Sequence, residues 1–404
     1  CPKKTIRKER KYMKDAFILG KGALYTADSE VTGLNNNIII CGGTGCGKTM
    51  SVVEPCLLAT FDSSLVVTVT KRRLIDKYTP VFRDSGYDVK VLDFTSPETS
   101  EAAYDPMLHV SSYSDIAELA CAIALGDFCS RDPFWETSGK DMLCAEIAAV
   151  MMREENPTFA DVLKLHEVLG SQKDANNEIF NDIAVKHPEG CYATAKWSAF
   201  KDMPDKTYGS VYSVLSAAMG RFFTEEAKKM IARGGNFDFR SVTDKKTVLF
   251  VYVSAASKVQ HALADLFYGQ MLKVLVEYGE SRPEGRIPTP VRLIFDDFAV
   301  GNKIPDFAGK ISVFRAMGIS AMLIIQSETQ LRGMYGDCDA ATVMNNCDTY
   351  VYMGGTDTDT CRGIALRMDV TLPKVLYMPL DQEIIFRRGS EPFVTERCDL
   401  LFAA

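Results

Sequence analysis

The sequence predicts an α/β fold with a mostly parallel central sheet into which an all-α domain is inserted. Short, β-branched apolar runs alternate with helix-like segments in the first hundred residues and again after residue 246, a pattern typical of parallel sheets covered by helices. Between these two parts lies a long stretch with almost no such run. The 404 residues, 47% of them hydrophobic, are enough for two or three compact units.

The domain division follows this change of pattern. Residues 1–110 and 221–404 are expected to form the two parts of one α/β domain, and residues 111–220 the inserted all-α domain. Helix starts are expected at Ser114 with Asp115 and at Thr158 with Asp161. The predicted strands are 37–41, 65–69, 89–92, 247–253, 291–295, 320–325, 349–353 and 383–387. The predicted helices are 50–60, 72–84, 116–124, 138–153, 159–169, 207–219, 260–280 and 307–317.

Charge and cysteine usage exclude several classes of protein. The formal net charge of -7 gives no bulk basic character, so contact with nucleic acid would require a local patch or an assembled channel. The 12 cysteines include no CxxC pair and no Cys/His cluster, which argues against a zinc site or a regular disulfide framework. No run approaches the roughly 20 apolar residues that span a bilayer.

The chain opens on Cys1 and continues through a basic segment, residues 3–11. One interpretation is a solvent-exposed arm. The other is the cytoplasmic flank of a membrane helix that would precede it, since positive charges favour the cytoplasmic side of such helices. The family resemblance described below favours the second interpretation.

A glycine-rich loop follows the first predicted strand and precedes a predicted helix. It fits the G-x-x-x-x-G-K-T pattern, in which backbone N–H groups cradle phosphate oxygens at a helix N-terminus. Lys48 would reach the β and γ phosphates of ATP, and the Thr49 hydroxyl would coordinate Mg²⁺. The predicted nucleotide-binding residues are Gly42, Gly43, Thr44, Gly45, Cys46, Gly47, Lys48 and Thr49.

Two acidic residues, Asp296 and Asp297, directly follow the predicted strand 291–295. In open α/β sheets ligands bind at the carboxyl ends of the strands, so Asp296 would hold Mg²⁺, directly or through water. Asp297 would orient or deprotonate the attacking water. ATPases of this type usually carry Glu at the second position, and Asp is one methylene shorter. A slow or partner-stimulated ATPase is therefore expected.

Two further residues are candidates for catalysis. Gln326 ends the predicted strand 320–325 beside the expected γ-phosphate position, where it would sense phosphate or position water; it could equally be an ordinary polar strand end. Arg315 lies on the predicted helix before that strand. It is a candidate arginine finger acting on the ATP of a neighbouring subunit, or else a surface arginine.

An ordered series of motifs resembles the VirD4/TraG family of type IV secretion coupling proteins. The acidic-strand signature of that family is similar to residues 296–299 and 301–307, and the resemblance spans residues 38–366. Further similar blocks are 314–320, 325–336, 346–348 and 354–357, with Asp132, Pro133, Phe134, Trp135 and Glu136 in the helical region.

The resemblance implies a RecA-like P-loop NTPase domain with the inserted all-α domain, which would face the cytoplasm and take part in substrate recognition. It also implies an N-terminal membrane anchor and a hexameric ring at the cytoplasmic face of the bacterial cell membrane. Family members recruit a relaxase bound to single-stranded DNA, or protein effectors, and pass them to a type IV secretion channel. The hexamer is expected of the membrane-anchored form, and a fragment without the anchor is expected to be a monomer.

Two departures from the family pattern affect the nucleotide pocket. The strand after the phosphate-loop helix usually ends in Asp-Pro-Lys-Gly-Glu, whereas here Val69-Thr70 precedes Lys71 and two arginines. The acidic pair is Asp-Asp where Asp-Glu is common.

The leading hypothesis for the function is an ATPase that delivers DNA or protein to the channel. The alternatives are a soluble FtsK/HerA-like DNA translocase and a docking adaptor that binds ATP but barely hydrolyses it.

Overall fold

The computed structural model describes residues 14–125, 133–170, 173–300 and 303–398. Three of the features singled out in the sequence lie wholly or partly outside this range. These are the basic segment 3–11, Asp132 of the helical-region motif, and Gly301 with Asn302 of the acidic-strand signature.

A nine-stranded sheet forms the centre of the molecule, in the order β11-β10-β9-β3-β8-β7-β4-β6-β5. Strands β9 through β5 in that order are mutually parallel, and β10 and β11 are added antiparallel at one edge. The first two strands instead form a separate hairpin. The strands are β1 Ala16–Ile18, β2 Leu24–Thr26, β3 Ile38–Cys41, β4 Ser64–Val69, β5 Asp88–Asp93, β6 Thr247–Tyr252, β7 Val291–Phe295, β8 Ile319–Ile325, β9 Thr349–Tyr352, β10 Gln382–Arg387 and β11 Phe393–Glu396.

Helices cover both faces of the sheet. Alternate residues of β3 enter different hydrophobic clusters, Ile39 on one face and Ile38 and Ile40 on the other. Burial on both faces explains why β3 and most of β4 and β8 read as continuous apolar runs rather than as alternating ones. The eight predicted strands are all present, which confirms the α/β class.

The central stretch between β5 and β6 is helical. A capping box at Thr158 and Asp161 starts one helix as predicted, whereas Ser112, not Ser114, caps the first helix, with Asp115 as its third residue. The helices are Tyr113–Ala124, Phe134–Arg153, Phe159–Leu169, Lys173–Lys186, Tyr192–Lys201, Asp205–Gly220, Glu225–Ile231 and Ser241–Asp244. Those at Lys173–Lys186, Tyr192–Lys201, Glu225–Ile231 and Ser241–Asp244 were not predicted.

The remaining helices surround the sheet. The predicted helix 307–317 is two short helices, because Val313 lies between them with φ -101° and ψ -5° and the chain turns there through bonds such as Ser312 N–H to the Gly309 carbonyl. The phosphate-loop helix begins with a π-helical turn, Thr49–Val53, and continues as Glu54–Leu58. The others are Ser29–Thr32, Arg72–Asp84, Lys258–Ser281, Phe307–Ile311, Phe314–Met317, Glu328–Asn345, Thr358–Met368 and Leu372–Leu376.

None of the helices in the described ranges is both long enough and apolar enough to cross a membrane.

Candidate active site

The glycine-rich loop leaves the central strand β3 and is held between its two neighbours. The Gly42 N–H donates to the Ile325 carbonyl at the end of β8 (3.2 Å), and the Gly43 N–H donates to the Gly354 carbonyl after β9 (2.8 Å). Since these strands are parallel, their carboxyl ends meet at one edge of the sheet. The loop therefore starts in the crevice at this edge, as the motif predicted.

Two glycines of the loop are required by its geometry. A Cβ at Gly42 would lie 2.7 Å from Cys46 Sγ and 3.0 Å from Met353 Cβ, closer than packed atoms come. Gly47 has φ +85°, the left-handed region that only glycine enters readily. The loop thus provides a cradle of backbone atoms that side chains at these positions would fill.

Lys48 folds back over the mouth of the loop. Its ammonium donates to the carbonyl of Gly42 and, at 3.1 Å, to that of Gly43. An ammonium held by two uncharged carbonyls is available to a stronger anionic partner such as a phosphate. The position fits the predicted role of Lys48.

Asp296 follows β7 at the same edge of the sheet. Burial raises the pKa of its carboxyl to about 6, with the neighbouring Asp297 adding to the rise, while the positive charges of Lys48 and Lys71 oppose it. Asp296, Lys48 and Lys71 thus share one electrostatic environment. Carboxyl groups whose pKa is shifted in such a crevice are typical of functional sites.

Asp297 adopts a strained backbone conformation. Its φ of +56° lies in the left-handed region, which is uncommon for a residue other than glycine and concentrates at functional sites. Hydrogen bonds on either side hold the turn: Phe298 N–H to the Ile324 carbonyl (2.9 Å) and Val300 N–H to the Asp297 carbonyl (2.9 Å). The turn fixes the direction in which the short Asp297 side chain leaves the strand.

Gln326 lies directly against the phosphate loop. Its Oε1 accepts from the Thr44 hydroxyl at 3.4 Å, and its backbone N–H donates to Gln330 Oε1 at 3.2 Å. Gln330 in turn donates to the Ala299 carbonyl at 3.0 Å, in the turn after the acidic pair. A polar chain therefore connects the loop, the end of β8 and the segment that follows Asp297.

Arg315 is located at the opposite edge of the sheet. It precedes β8, and its guanidinium donates to the Ser29 carbonyl at 3.4 Å on the exposed surface. It therefore does not reach the phosphate loop of its own chain. Any action on ATP would have to be on the loop of another subunit, which is the role the sequence suggested.

Three residues that the predicted site did not include lie beside it. Lys71 acts electrostatically on Asp296. Burial lowers the pKa of His261, on helix Lys258–Ser281, while a hydrogen bond with the Ser254 carbonyl and the charge of Asp297 oppose the lowering. Arg397, which follows β11, donates to the Cys46 carbonyl in the loop. Of these only Lys71 had a signal in the sequence, as the residue retained from the family pattern.

The side chains at this site fit a Mg²⁺ ion bound together with a nucleotide better than a metal ion bound by protein side chains alone. In the described ranges no three His, Cys, Asp or Glu side chains form a group that could hold a metal. Magnesium commonly takes one or two protein oxygens and completes its shell with phosphate oxygens and water. Thr49 and Asp296 would supply the protein oxygens.

Comparison with known proteins gives a family. A family model described as "Type IV secretory system Conjugative DNA transfer" matches residues 2–368. Protein VirD4 of Rhizobium radiobacter is 21% identical over 352 residues, covering 85% of this chain and 50% of that protein. A probable conjugal transfer protein TraG of Sinorhizobium fredii is 23% identical over 423 residues, covering 92% of this chain and 63% of that protein. The chain thus spans half to two thirds of the length of these curated relatives.

Solved structures show the same fold. The bacterial conjugative coupling protein TrwB superposes with a TM-score of 0.65 at 17% identity, covering 98% of this chain and 91% of that one. A TrwB structure in complex with ADP and Mg²⁺ superposes with the same TM-score at 16% identity and the same coverage. The fold of this chain is accordingly that of a RecA-like P-loop NTPase with a helical domain. Since the family model runs through the phosphate loop, the helical region and the acidic strand, the chain belongs to the conjugative DNA-transfer family of type IV secretion systems.

Proposed function

We propose that this chain is the ATP-hydrolysing portion of a type IV secretion coupling protein, with ATP and Mg²⁺ as its cofactors. The observation that carries the proposal is the convergence of the phosphate loop, Asp296 and Gln326 at the carboxyl edge of three neighbouring parallel strands. That arrangement is the one in which P-loop ATPases bind and cleave the terminal phosphate.

Each residue has a defined task in this scheme. Lys48 leaves its two backbone carbonyls and neutralises charge on the β and γ phosphates, and the loop N–H groups bind phosphate oxygens. Thr49 and Asp296 would hold Mg²⁺, which would offset the negative charge that develops during phosphoryl transfer. Asp297 and Gln326 orient the attacking water. Because Asp297 is short and its turn is fixed, water activation is expected to limit the rate until a partner or neighbour adjusts the turn.

The working form is proposed to be a hexamer at the cytoplasmic face of the cell membrane. Arg315 would then act on the ATP of a neighbouring subunit, consistent with its distance from its own loop. Residues 111–220 would recognise a relaxase–DNA complex or protein effectors, and residues 1–110 with 221–404 would form the motor. The secretion channel is the proposed destination of the cargo.

Replacing Lys48 by Ala in the full-length protein tests the proposal. Transfer of a mobilisable plasmid from the native host and ATP hydrolysis stimulated by single-stranded DNA should both fall at least a hundredfold. Lys245→Ala is a matched control, since Lys245 is exposed just before β6, at the edge of the sheet opposite the phosphate loop, and pairs with Asp88 there. Normal transfer by the Lys48 variant would contradict the motor function.

A weakly hydrolysing docking adaptor is the second candidate, and Asp297 is the observation that favours it. The two functions differ in one measurement on the membrane-embedded wild-type protein. A motor hydrolyses ATP at a rate that rises with added DNA and relaxase. An adaptor binds ATP at the same site while turnover stays at the background of the Lys48→Ala variant. The family match argues against the soluble FtsK/HerA-like alternative.

A further inference from the structure

Arg397 joins the end of the central sheet to the phosphate loop. The carboxyl end of β11 lies at the same edge as the loop, because β10 runs antiparallel to β9 and β11 antiparallel to β10, so that β11 runs in the same direction as β9 and β3. From there the guanidinium donates through Nη1 to the Cys46 carbonyl, through Nη2 to the Met353 carbonyl (2.7 Å) and through Nε to the Gln382 carbonyl (3.3 Å). Three main-chain carbonyls thus hold this arginine against the outer side of the loop.

The positive charge of Arg397 has no negative partner at ion-pair distance within the described part of the chain. Arg397 acts electrostatically on Glu383, which is fully buried and whose oxygens accept no hydrogen bond in the described structure. Burial raises the pKa of Glu383 to about 8 in spite of Arg397. The carboxyl is therefore mostly neutral at pH 7 and leaves the arginine uncompensated.

The position of the guanidinium relative to the loop indicates where an anion would meet it. A Cβ placed on Gly47 would lie 3.8 Å from Arg397 Nη1 and 3.5 Å from Ser51 Oγ. Gly47 is the last glycine before Lys48, where the loop enters its helix and its N–H groups point at bound phosphate. A guanidinium that uses three of its five N–H groups on carbonyls keeps two for a ligand.

Arg397 and the acidic pair flank the loop on opposite sides. In the sheet β8 and β7, which carry Gln326 and Asp296, lie on one side of β3, and β9, β10 and β11 lie on the other. The γ-phosphate must face Asp296 and Gln326. Arg397 therefore approaches the part of the nucleotide that ATP and ADP have in common.

We infer that Arg397 is a phosphate-binding residue of the nucleotide site, contacting the α- and β-phosphate end that ATP and ADP share. The inference rests on the proposed function and extends it, because it adds a residue from the last strand of the sheet to a site otherwise made of the loop and the strands on its other side. A guanidinium forms strong, directional hydrogen bonds to phosphate.

Nucleotide titrations with the whole chain test this inference. Arg397→Ala should weaken binding of ADP and of the non-hydrolysable ATP analogue ADPNP at least tenfold each, with their ratio unchanged. Arg387→Ala is the matched control: this arginine lies at the other end of β10, stacked on the Tyr25 ring, and its loss should leave both affinities within twofold. Thermal unfolding without nucleotide checks that each variant folds.

The Arg397→Lys variant distinguishes an arginine that contacts phosphate from one that only holds the loop in place. A lysine keeps a charge that can reach phosphate but cannot donate to three carbonyls at once, so it should recover a substantial part of the lost affinity. Binding as weak as in Arg397→Ala would show that the arginine only braces the loop, and would overturn the inference. So would an unchanged affinity of Arg397→Ala, or a loss confined to ADPNP. A wild-type chain that binds neither nucleotide would overturn the proposed function as well.

Discussion

Replacing Glu383 by Gln should make the stability of this protein less sensitive to alkaline pH. Glu383 is 0% exposed, and its two carboxyl oxygens have no hydrogen-bond partner in the described structure. A Cβ on Gly20 would lie 2.4 Å from Oε1, so the backbone of the β1–β2 hairpin presses directly on the carboxyl group. A glutamine has nearly the same shape and stays neutral at every pH.

The size of the expected stability loss follows from the pKa of Glu383. Burial raises the pKa of Glu383 from its ordinary 4.5 to about 8, so the native state holds this proton where the unfolded chain has lost it. The corresponding stability is fully present below pH 4.5 and is lost as the pH rises through about 8. Each pH unit in this window costs about 1.4 kcal/mol. Between pH 6.5 and 8 the wild type should therefore lose about 2 kcal/mol more than Glu383→Gln.

Urea unfolding followed by far-ultraviolet circular dichroism measures this difference. The free energy of unfolding is compared for the wild type, Glu383→Gln and Glu391→Gln at pH 6.5 and 8. Glu391 is exposed near the start of β11, so its variant controls for the loss of one carboxylate. The reasoning is refuted if Glu383→Gln loses as much stability over this interval as the wild type does.

Three further predictions concern other parts of the molecule. Asp297→Glu should raise the turnover number several-fold with little change in ATP affinity, because the longer side chain brings the carboxylate about an ångström closer to the water; steady-state ATPase assays would show the reverse if the short side chain were optimal. Gly42→Ala should weaken ADP binding at least tenfold, whereas Gly43→Ala, whose Cβ would find its nearest neighbour at 3.7 Å, should change it little in the same titration. His166→Ala should lower the free energy of unfolding by about 3 to 5 kcal/mol, because the buried Glu146, 3.0 Å from the imidazole, loses its partner. His187→Ala is the control: its side chain is 41% exposed, and its loss should lower the free energy of unfolding by less than about 1 kcal/mol.

The parts of the fold that the sequence predicted are those whose signal is local. Strands such as β3 and β8 are buried on both faces, so every residue must be apolar and the run is visible without context. The phosphate loop and the acidic pair each follow such a strand, which fixes their positions at one edge of the sheet. Gln326 follows β8 in the same way, and its Oε1 accepts from the Thr44 hydroxyl in the loop; its role there stays a prediction.

The parts that were missed depend on contacts between distant residues. Strand β11 has only four residues, three of them exposed, so it lacks the buried apolar run that marks the central strands, and no local signal marks Arg397 as a neighbour of the loop. His261 lies within the electrostatic influence of Asp297, on a helix whose pattern predicts burial but no role. The break at Val313 depends on the turn that follows Phe307–Ile311, and helical periodicity continues through it.

The contact between Arg397 and the phosphate loop has a consequence for synthesis of the protein. Arg397 and Cys46 are 351 residues apart in the chain, and both strands that flank β3 in the sheet also come from the last quarter or so of the sequence. At a translation rate of about 5 to 20 residues per second, the loop leaves the ribosome roughly 20 to 70 seconds before its partners do. During that interval the nascent chain lacks part of the proposed nucleotide site, so a bound nucleotide could stabilise the protein only once synthesis has passed Arg397.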